Sequence, residues 1–377
     1  MQKTIYALLS LIFLPLASAA SVSVPAPPSV SATGYLLIDL DSDAVLAQKD
    51  SEQRLEPASL TKIMTAYAVF REINDGSVKL SDEVLVSEKA WKTPGSRMFI
   101  EVNKRVSVEE LLKGMIIQSG NDASVALAEH VAGSEEAFAN LMNEHARRLG
   151  MKNTHFVNAT GLPDPEHYTT PHDIVLVTEA SIREFPEFYK MYAVKEYTFN
   201  GIRQHNRNNL LWHDESVDGV KTGHTEAAGY CLVASAKRDG MRLVSVVMGT
   251  DSEKARIRES KSLLNYGFRF YETHRLYGAS DRLTRSRVWM GEQEQVALGL
   301  EKDLYVTIPR HQYERLNART EIQPQIEAPL IQGQRVGEVV VELDGEVITR
   351  RALVALEDVP EGGIWRSMVD SVLMMLE

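Results

Sequence analysis

The chain has 377 residues, a formal net charge of −11, 44% hydrophobic residues and 25% charged ones. That length and mix suit a globular protein with more than one domain. The acidic balance, with no basic aromatic-rich stripe, excludes a nucleic-acid binder and broad adsorption to an anionic membrane.

The N-terminus has the layout of a secretory leader over residues 1–19. Lys3 supplies positive charge, Ile5 to Leu16 is an apolar run too short to span a bilayer, and Ala17-Ser18-Ala19 is a cleavage site that would leave Ala20 first. Residues 20–31, rich in Ser, Pro and Val, read as a flexible leader. Tyr35 to Leu40, a turn at Asp41-Ser42-Asp43, and Ala44 to Ala47 read as a β-hairpin.

A helical region follows, from Ser59 to about Glu184. Pro57 suits a helix entry, and Leu60, Ile63, Met64, Tyr67 and Ala68 keep a helical spacing. Ser59 then sits in the first turn, with Lys62 on the same face one turn on. A serine hydroxyl is a poor nucleophile until a base takes its proton, and an unprotonated Lys62 amine could take it. The helix N-terminus offers N–H groups to an oxyanion. Val108 to Gln118 reads as an amphipathic helix, and another begins near Asp122. Gly120 breaks them and would hold Ser119 and Asn121 outward at the junction. Ser119 could relay a proton to a leaving amine; Asn121 could bond a substrate amide or the Lys62 amine. Ser134 to Leu149 is a further helix, and Thr170-Pro171-His172-Asp173 carries capping signals.

Lys221-Thr222-Gly223 ends the run Val217 to Val220. Two strands follow, Gly229 to Ala236 and Met241 to Met248, joined by a hairpin signal at Arg238-Asp239-Gly240. An edge strand here could add a peptide substrate through main-chain bonds. Lys221 and Thr222 would face a carboxylate, and Gly223 would let the substrate backbone come close. Lys254 to Asn265 reads as a helix. Strands from both chain ends around a helical block imply an α+β domain, residues 32–272, on an antiparallel five-stranded sheet. The candidate serine would lie between sheet and helices.

After Phe270 the texture changes. Strand candidates recur at Arg287 to Met290, Asp303 to Ile308, Arg335 to Leu343 and Val347 to Leu356, with a hairpin signal at Asp344-Gly345. This reads as a small all-β domain over residues 280–358, with no catalytic constellation. It could hold the first domain at a height or bind a partner that its sequence does not name. Residues 362–377 are apolar at helical spacing along Ile364, Trp365, Met368, Val369, Val372, Leu373 and Leu376. Too short to span a bilayer, this helix fits an interfacial anchor, although Glu361, Arg366, Asp370 and Glu377 make it net negative. The other reading is a helix docked on its own protein. Cys231 stands alone and reads as a buried, inert thiol. His145, His155, His167 and His172 show no ligand spacing, so neither a metal nor another cofactor is expected.

Each motif alone fits an ordinary residue: a first-turn serine beside a solvated lysine, a capping loop, an edge-protecting lysine. Ser59-Leu60-Thr61-Lys62, Ser119-Gly120-Asn121 and Lys221-Thr222-Gly223, in that order on those elements, are more specific. The chain resembles the low-molecular-mass penicillin-binding proteins, and more closely the serine-type D-alanyl-D-alanine carboxypeptidases of the penicillin-binding protein 5/6 type. Matching stretches include Gly201 to Gln204, Asn206-Arg207-Asn208, Val217-Asp218-Gly219, His224-Thr225 and Leu263 to Phe268. The resemblance implies a transpeptidase-like fold, with Ser59 as acyl-ester nucleophile, Lys62 as general base and Ser119 in the second catalytic motif. Asn121, Lys221, Thr222, Gly223 and His224 would bind substrate, with Arg256, or failing it Arg258, on the terminal carboxylate. It implies peptidoglycan stem peptides as substrate, β-lactams as covalent inhibitors, and a periplasmic place at the outer face of the cytoplasmic membrane. Ser-Gly-Asn rather than Ser-Asp-Asn, and the lack of a Glu-x-x-Leu-Asn segment, speak against a class A β-lactamase. Intact Ser59 and Lys62 speak against a non-catalytic cell-wall binding protein.

Overall fold

A computed structural model describes residues 24–374. The leader expected over residues 1–19 lies outside them. Five antiparallel strands form the central sheet, in the order Val45–Lys49, Gly34–Asp39, Met241–Thr250, Gly229–Arg238 and Val217–Thr225. Both faces are covered, and the two-residue period of a strand divides its side chains between them. Leu36, Ile38, Val233, Val244 and Val246 join the core under the helical block. Leu37, Leu232, Leu243 and Val247 join a second core, where Leu263, Leu264 and Phe268 of the helix Glu253–Phe270 pack.

The helical block is built around the helix Thr61–Asn74, whose first ten residues are all buried. The helices Val108–Ile117, Asn121–Ala132, Glu135–Arg148 and Pro171–Glu184 surround it. The caps follow the sequence signals: Ser134 accepts the Ala137 N–H, and Thr170 accepts the Asp173 N–H with Pro171 at the first helical position. The block is not continuous helix. A small strand pair, Glu83–Leu85 with Arg105–Ser107, interrupts it.

Residues 24–31 depart from the flexible segment expected. Val24 and Val30 pack into the second core, and the Pro25 carbonyl accepts the Tyr266 hydroxyl at 3.0 Å. Apolar residues spaced along a Pro-rich stretch have found a groove on the body, which composition does not reveal.

The second domain begins earlier than expected. Tyr271–Tyr277 leaves the preceding helix directly and pairs with Leu304–Pro309. The remaining sheet runs Thr284–Arg287, Gln295–Gly299, Glu346–Ala355, Arg335–Leu343, Leu316–Ile322. Asp344 and Gly345 turn the hairpin at φ 55° and 86°. The strand expected over Arg287 to Met290 ends at Arg287, and Trp289 makes only an isolated bridge to Glu327. Leu316–Ile322 has no signal in the sequence, because most of its side chains are polar and solvent-facing. The domains meet through hydroxyls: Thr273 donates to Asp39 at 2.9 Å, and Ser42 lies 2.6 Å from Thr307.

The terminal helix Ile364–Met374 inverts the usual arrangement. Its one buried residue is Asp370, which accepts the Met290 N–H at 2.8 Å and pairs with Arg287 at 3.6 Å. Ile364 is 80% exposed and Trp365 82%, and Met368, Val369, Val372 and Leu373 are exposed with them. Leu376 lies outside the described residues. Among those, no helix is long and apolar enough to cross a membrane.

Candidate active site

Ser59 sits in a single 3-10 turn, Ala58–Leu60, that leads straight into the helix Thr61–Asn74. Ala58 takes a left-handed φ of 47° to make the entry. Lys62, in the first helical turn, is only 1% exposed. Its Nζ lies 3.0 Å from Ser59 Oγ, 2.7 Å from Asn121 Oδ1 and 2.6 Å from the Thr160 carbonyl. The Asn121 amide nitrogen donates to the Pro94 carbonyl at 2.6 Å, which fixes its oxygen toward Lys62. Asn121 Oδ1 and the Thr160 carbonyl can only accept. A neutral amine has two N–H bonds and one lone pair. In a neutral Lys62 both N–H bonds would go to these two oxygens, which leaves the lone pair to face the Ser59 hydroxyl.

The electrostatics agree. Burial pushes the Lys62 amine down to about 7, against the opposing pull of Asp122 and Glu135. Asp122 is fully buried but directs its carboxylate elsewhere, accepting the N–H groups of Met98, Phe99 and Ile100 at 2.9, 2.9 and 3.3 Å.

The break between the helices Val108–Ile117 and Asn121–Ala132 does hold Ser119 and Asn121 toward the site. Ser119 adopts φ 67° there. Its Oγ accepts from Lys221 Nζ at 2.8 Å, and that amine also donates to the Thr222 carbonyl at 3.0 Å. A lysine that faces a carboxylate would be expected to carry its positive charge. Instead, burial, then Lys62, Arg207 and Arg256, hold its amine well below the usual lysine range.

Lys221, Thr222 and Gly223 lie on the edge strand as expected, with Gly223 opposite Cys231. The reason for the glycine differs. A Cβ on Gly223 would stand 3.1 Å from the Pro57 carbonyl oxygen and 3.3 Å from the Ser59 nitrogen. The strand thus comes close to the turn that carries Ser59, and the glycine serves that approach. Cys231 is buried and unpaired, and burial pushes its thiol up to about 11.

A cavity of about 200 Å³ joins these groups; Ser59, Ser119, Thr222, Gly223, His224 and Arg256 line it. Arg256 donates to the Gly223 carbonyl at 3.2 Å and lies over the Tyr230 ring. Arg258 is largely exposed and engages Glu259 at 2.5 Å, so Arg256 is the arginine brought to the site. His224 is exposed at the rim, its ring 4.0 Å from that of Tyr230. Sequence reading missed Arg207, Tyr230 and Glu253, which line the cavity too, and the Thr160 carbonyl. Only the last had a local signal. Asn158 Oδ1 accepts the Thr160 and Gly161 N–H groups at 3.1 and 2.7 Å, a turn that Asn158 with Gly161 three residues on could suggest. Its partner, a lysine 98 residues away, could not be read from it.

Two family models match the chain. One, described as D-alanyl-D-alanine carboxypeptidase, covers residues 20–252. The chain belongs to the D-alanyl-D-alanine carboxypeptidase family. The other model, the C-terminal domain of penicillin-binding protein 5, covers residues 271–361. D-alanyl-D-alanine carboxypeptidase DacC of Escherichia coli is 46% identical over 96% of this chain and 92% of its own. DacA of the same organism is 43% identical over 93% and 89%. The crystal structure of penicillin-binding protein 5 from Haemophilus influenzae superposes with a TM-score of 0.87 at 43% identity. It covers 89% of this chain and all of that one. The resemblance read from the motifs therefore holds along both domains, as do the fold and the class of serine hydrolase that it implied.

The Lys62 geometry gives a pH dependence. Burial lowers this lysine from 10.5 to about 7, so the unfolded chain binds the extra proton between those values and stability from this group rises with pH across that window. With Lys62 as the base for acylation of Ser59, as its position proposes, the neutral form would be needed, and the rate should climb through about pH 7 and level off above it. Lys62→Arg should acylate poorly at every pH, since guanidinium cannot give up its proton. Stopped-flow acylation by a chromogenic β-lactam measures this; a flat rate from about pH 5 to 9 would remove Lys62 as the base.

Proposed function

We propose that this protein removes the terminal D-alanine from peptidoglycan stem peptides through an acyl-enzyme on Ser59. The observation that carries the proposal is the Lys62 amine, with both N–H bonds committed to carbonyl oxygens and its third direction at Ser59 Oγ. Lys62 accepts the hydroxyl proton as Ser59 Oγ attacks the carbonyl carbon of the penultimate D-alanine. The C–N bond then breaks, and the proton that Lys62 took passes through Ser119, which Lys221 holds at 2.8 Å, to the leaving amine, so Lys62 is neutral again. Water attacks the ester with Lys62 again as base. Its proton returns to Ser59, and the shortened peptide leaves as a carboxylic acid.

Arg256, Thr222 and Lys221 bind the free carboxylate of the terminal residue. The arriving anion favours the charged form of Lys221 and offsets the burial that disfavours it in the empty site. A β-lactam, which also carries a carboxylate beside a reactive acyl carbon, enters the same way and acylates Ser59. Asn121 orients Lys62, and His224 forms part of the rim.

The test uses the mature protein with labelled penicillin, with a peptide ending in D-Ala-D-Ala, and with its C-terminal amide. One adduct should map to Ser59, and D-alanine should be released from the acid. Arg256→Ala should slow the acid by about tenfold or more, as loss of a charge-assisted contact does, and the amide much less. Labelling that persists in Ser59→Ala would sink the nucleophile assignment. Equal losses on acid and amide would make Arg256 structural.

The same proposal places the protein at the outer face of the cytoplasmic membrane, after cleavage of residues 1–19. Six apolar side chains stand outward on one stripe of the terminal helix, while its acidic residue turns inward. Burying each such side chain contributes about 1.5–3 kcal/mol before ordering costs. With no basic residues on the stripe, attachment should depend little on anionic lipid. Ending the chain at Gly363 should move the protein to the soluble periplasmic fraction with penicillin labelling intact. A full-length mature protein already soluble on fractionation would overturn the anchor.

A further inference from the structure

A second groove, of about 400 Å³, opens beside the catalytic cavity and shares Arg207 and Glu253 with it. Its apolar walls are Phe99, 50% exposed, and Ile202, 42% exposed. Its far rim carries Arg203, held by Glu196, and His205.

The walls are fixed from behind. Phe99 has φ 70°, a conformation that a bulky side chain rarely adopts. The buried Asp122 carboxylate holds it there through the three N–H groups of Met98, Phe99 and Ile100. Ile202 opens the strand Ile202–His205, and Gln204 of that strand donates to the Met98 carbonyl at 3.0 Å. That bond ties one wall to the other. Backbone strain held by a buried charge at the mouth of a site points to a purpose beyond folding.

The position of the opening says what enters. Glu253 contacts Arg256 at 3.4 Å, and Arg207 donates to the Gln118 carbonyl, next to Ser119, at 3.3 Å. The opening thus lies between Arg256 and Ser119. In the carboxypeptidase reading, on which this inference rests, Arg256 takes the carboxylate of the leaving residue and Ser119 serves its amine. Two of the four substituents on that residue's Cα are then placed, and a third is hydrogen. The side chain remains, and the groove is the space open to it.

We infer that this groove receives the side chain of the leaving D-residue, and that Phe99 and Ile202 determine specificity for it. Alanine's methyl group leaves the groove unfilled. A longer, apolar chain would lie between Phe99 and Ile202, with any polar end toward Arg203, Arg207 and His205. The enzyme should therefore release terminal D-residues larger than alanine.

The test measures kcat/KM on peptides alike except for the last residue, D-alanine or D-norleucine. The wild-type protein should release D-norleucine at least as well as D-alanine. Phe99→Ala and Ile202→Ala, made separately, should each lower D-norleucine release by about tenfold or more, the scale for lost apolar contacts in a pocket. Release of D-alanine and labelling by penicillin should change by less than about twofold. Wild-type rejection of D-norleucine, or equal losses on both peptides in both variants, would overturn the groove assignment while leaving the carboxypeptidase reading standing. No release of D-alanine and no penicillin adduct from the wild-type protein would instead remove the carboxypeptidase reading, and this inference with it.

Discussion

The proposed chemistry depends on one desolvated amine. Among the described residues, Lys62 is buried with no carboxylate in contact, and its partners are two carbonyl oxygens and the Ser59 hydroxyl. Lowering a lysine from 10.5 to about 7 disfavours its charged form by roughly 5 kcal/mol. An ion pair would cancel that effect and hold the proton on nitrogen. Asp122, the carboxylate that pulls most strongly on Lys62, makes no ion pair with it, because its oxygens are committed to the Met98–Ile100 backbone. The same carboxylate thus shapes the loop beside the site and leaves Lys62 neutral enough to act.

Holding such an amine in place requires rigid surroundings. Thr61 through Phe70 are all buried, so the helix that presents Lys62 is locked by the core on every side. The acceptor from Thr160 is delivered by a turn packed hard against the Ser59 entry. At Gly161, with φ 82°, a Cβ would overlap the Ala58 carbonyl oxygen. Gly223 permits a close but less tight approach from the edge strand, where a Cβ would stand 3.1 Å from the Pro57 carbonyl oxygen. Three segments distant in sequence therefore converge on one turn with little space between them, and the two-faced sheet beneath fixes their separation. The 3.0 Å placement of Ser59 Oγ against the Lys62 amine follows from packing, not from the motif itself.

This separation of motif and packing explains what the sequence could and could not disclose. Ser59, Lys62, Ser119, Asn121 and the Lys221–Gly223 strand carry short-range signals, since each needs a particular residue at a helix start, a helix break or a strand edge. All of them, with Arg256, come together around one cavity, as do the five strands expected in the first domain. Thr160 acts through its backbone, so no side chain announces it. Arg207 and Glu253 matter only because the fold brings two surfaces together. The protonation of Lys221 depends on burial first and then on Lys62, Arg207 and Arg256 as neighbours, none of which spacing along the chain encodes. In the second domain, exposed polar strands hid the edge of the sheet. On the terminal helix, periodicity identified the apolar stripe, but only the fold shows that Asp370 faces inward.

The most direct measurement is the titration of Lys62 itself. With lysine labelled at Cε and Nζ, its resonance can be assigned by comparison with Lys62→Arg and followed by NMR in the uninhibited protein. A desolvated amine bound to two carbonyl oxygens should titrate with a midpoint near the value of about 7. A Lys62 resonance that stays protonated beyond about pH 9 would mean that burial is offset by an anion or by water, and that another group takes the proton from Ser59.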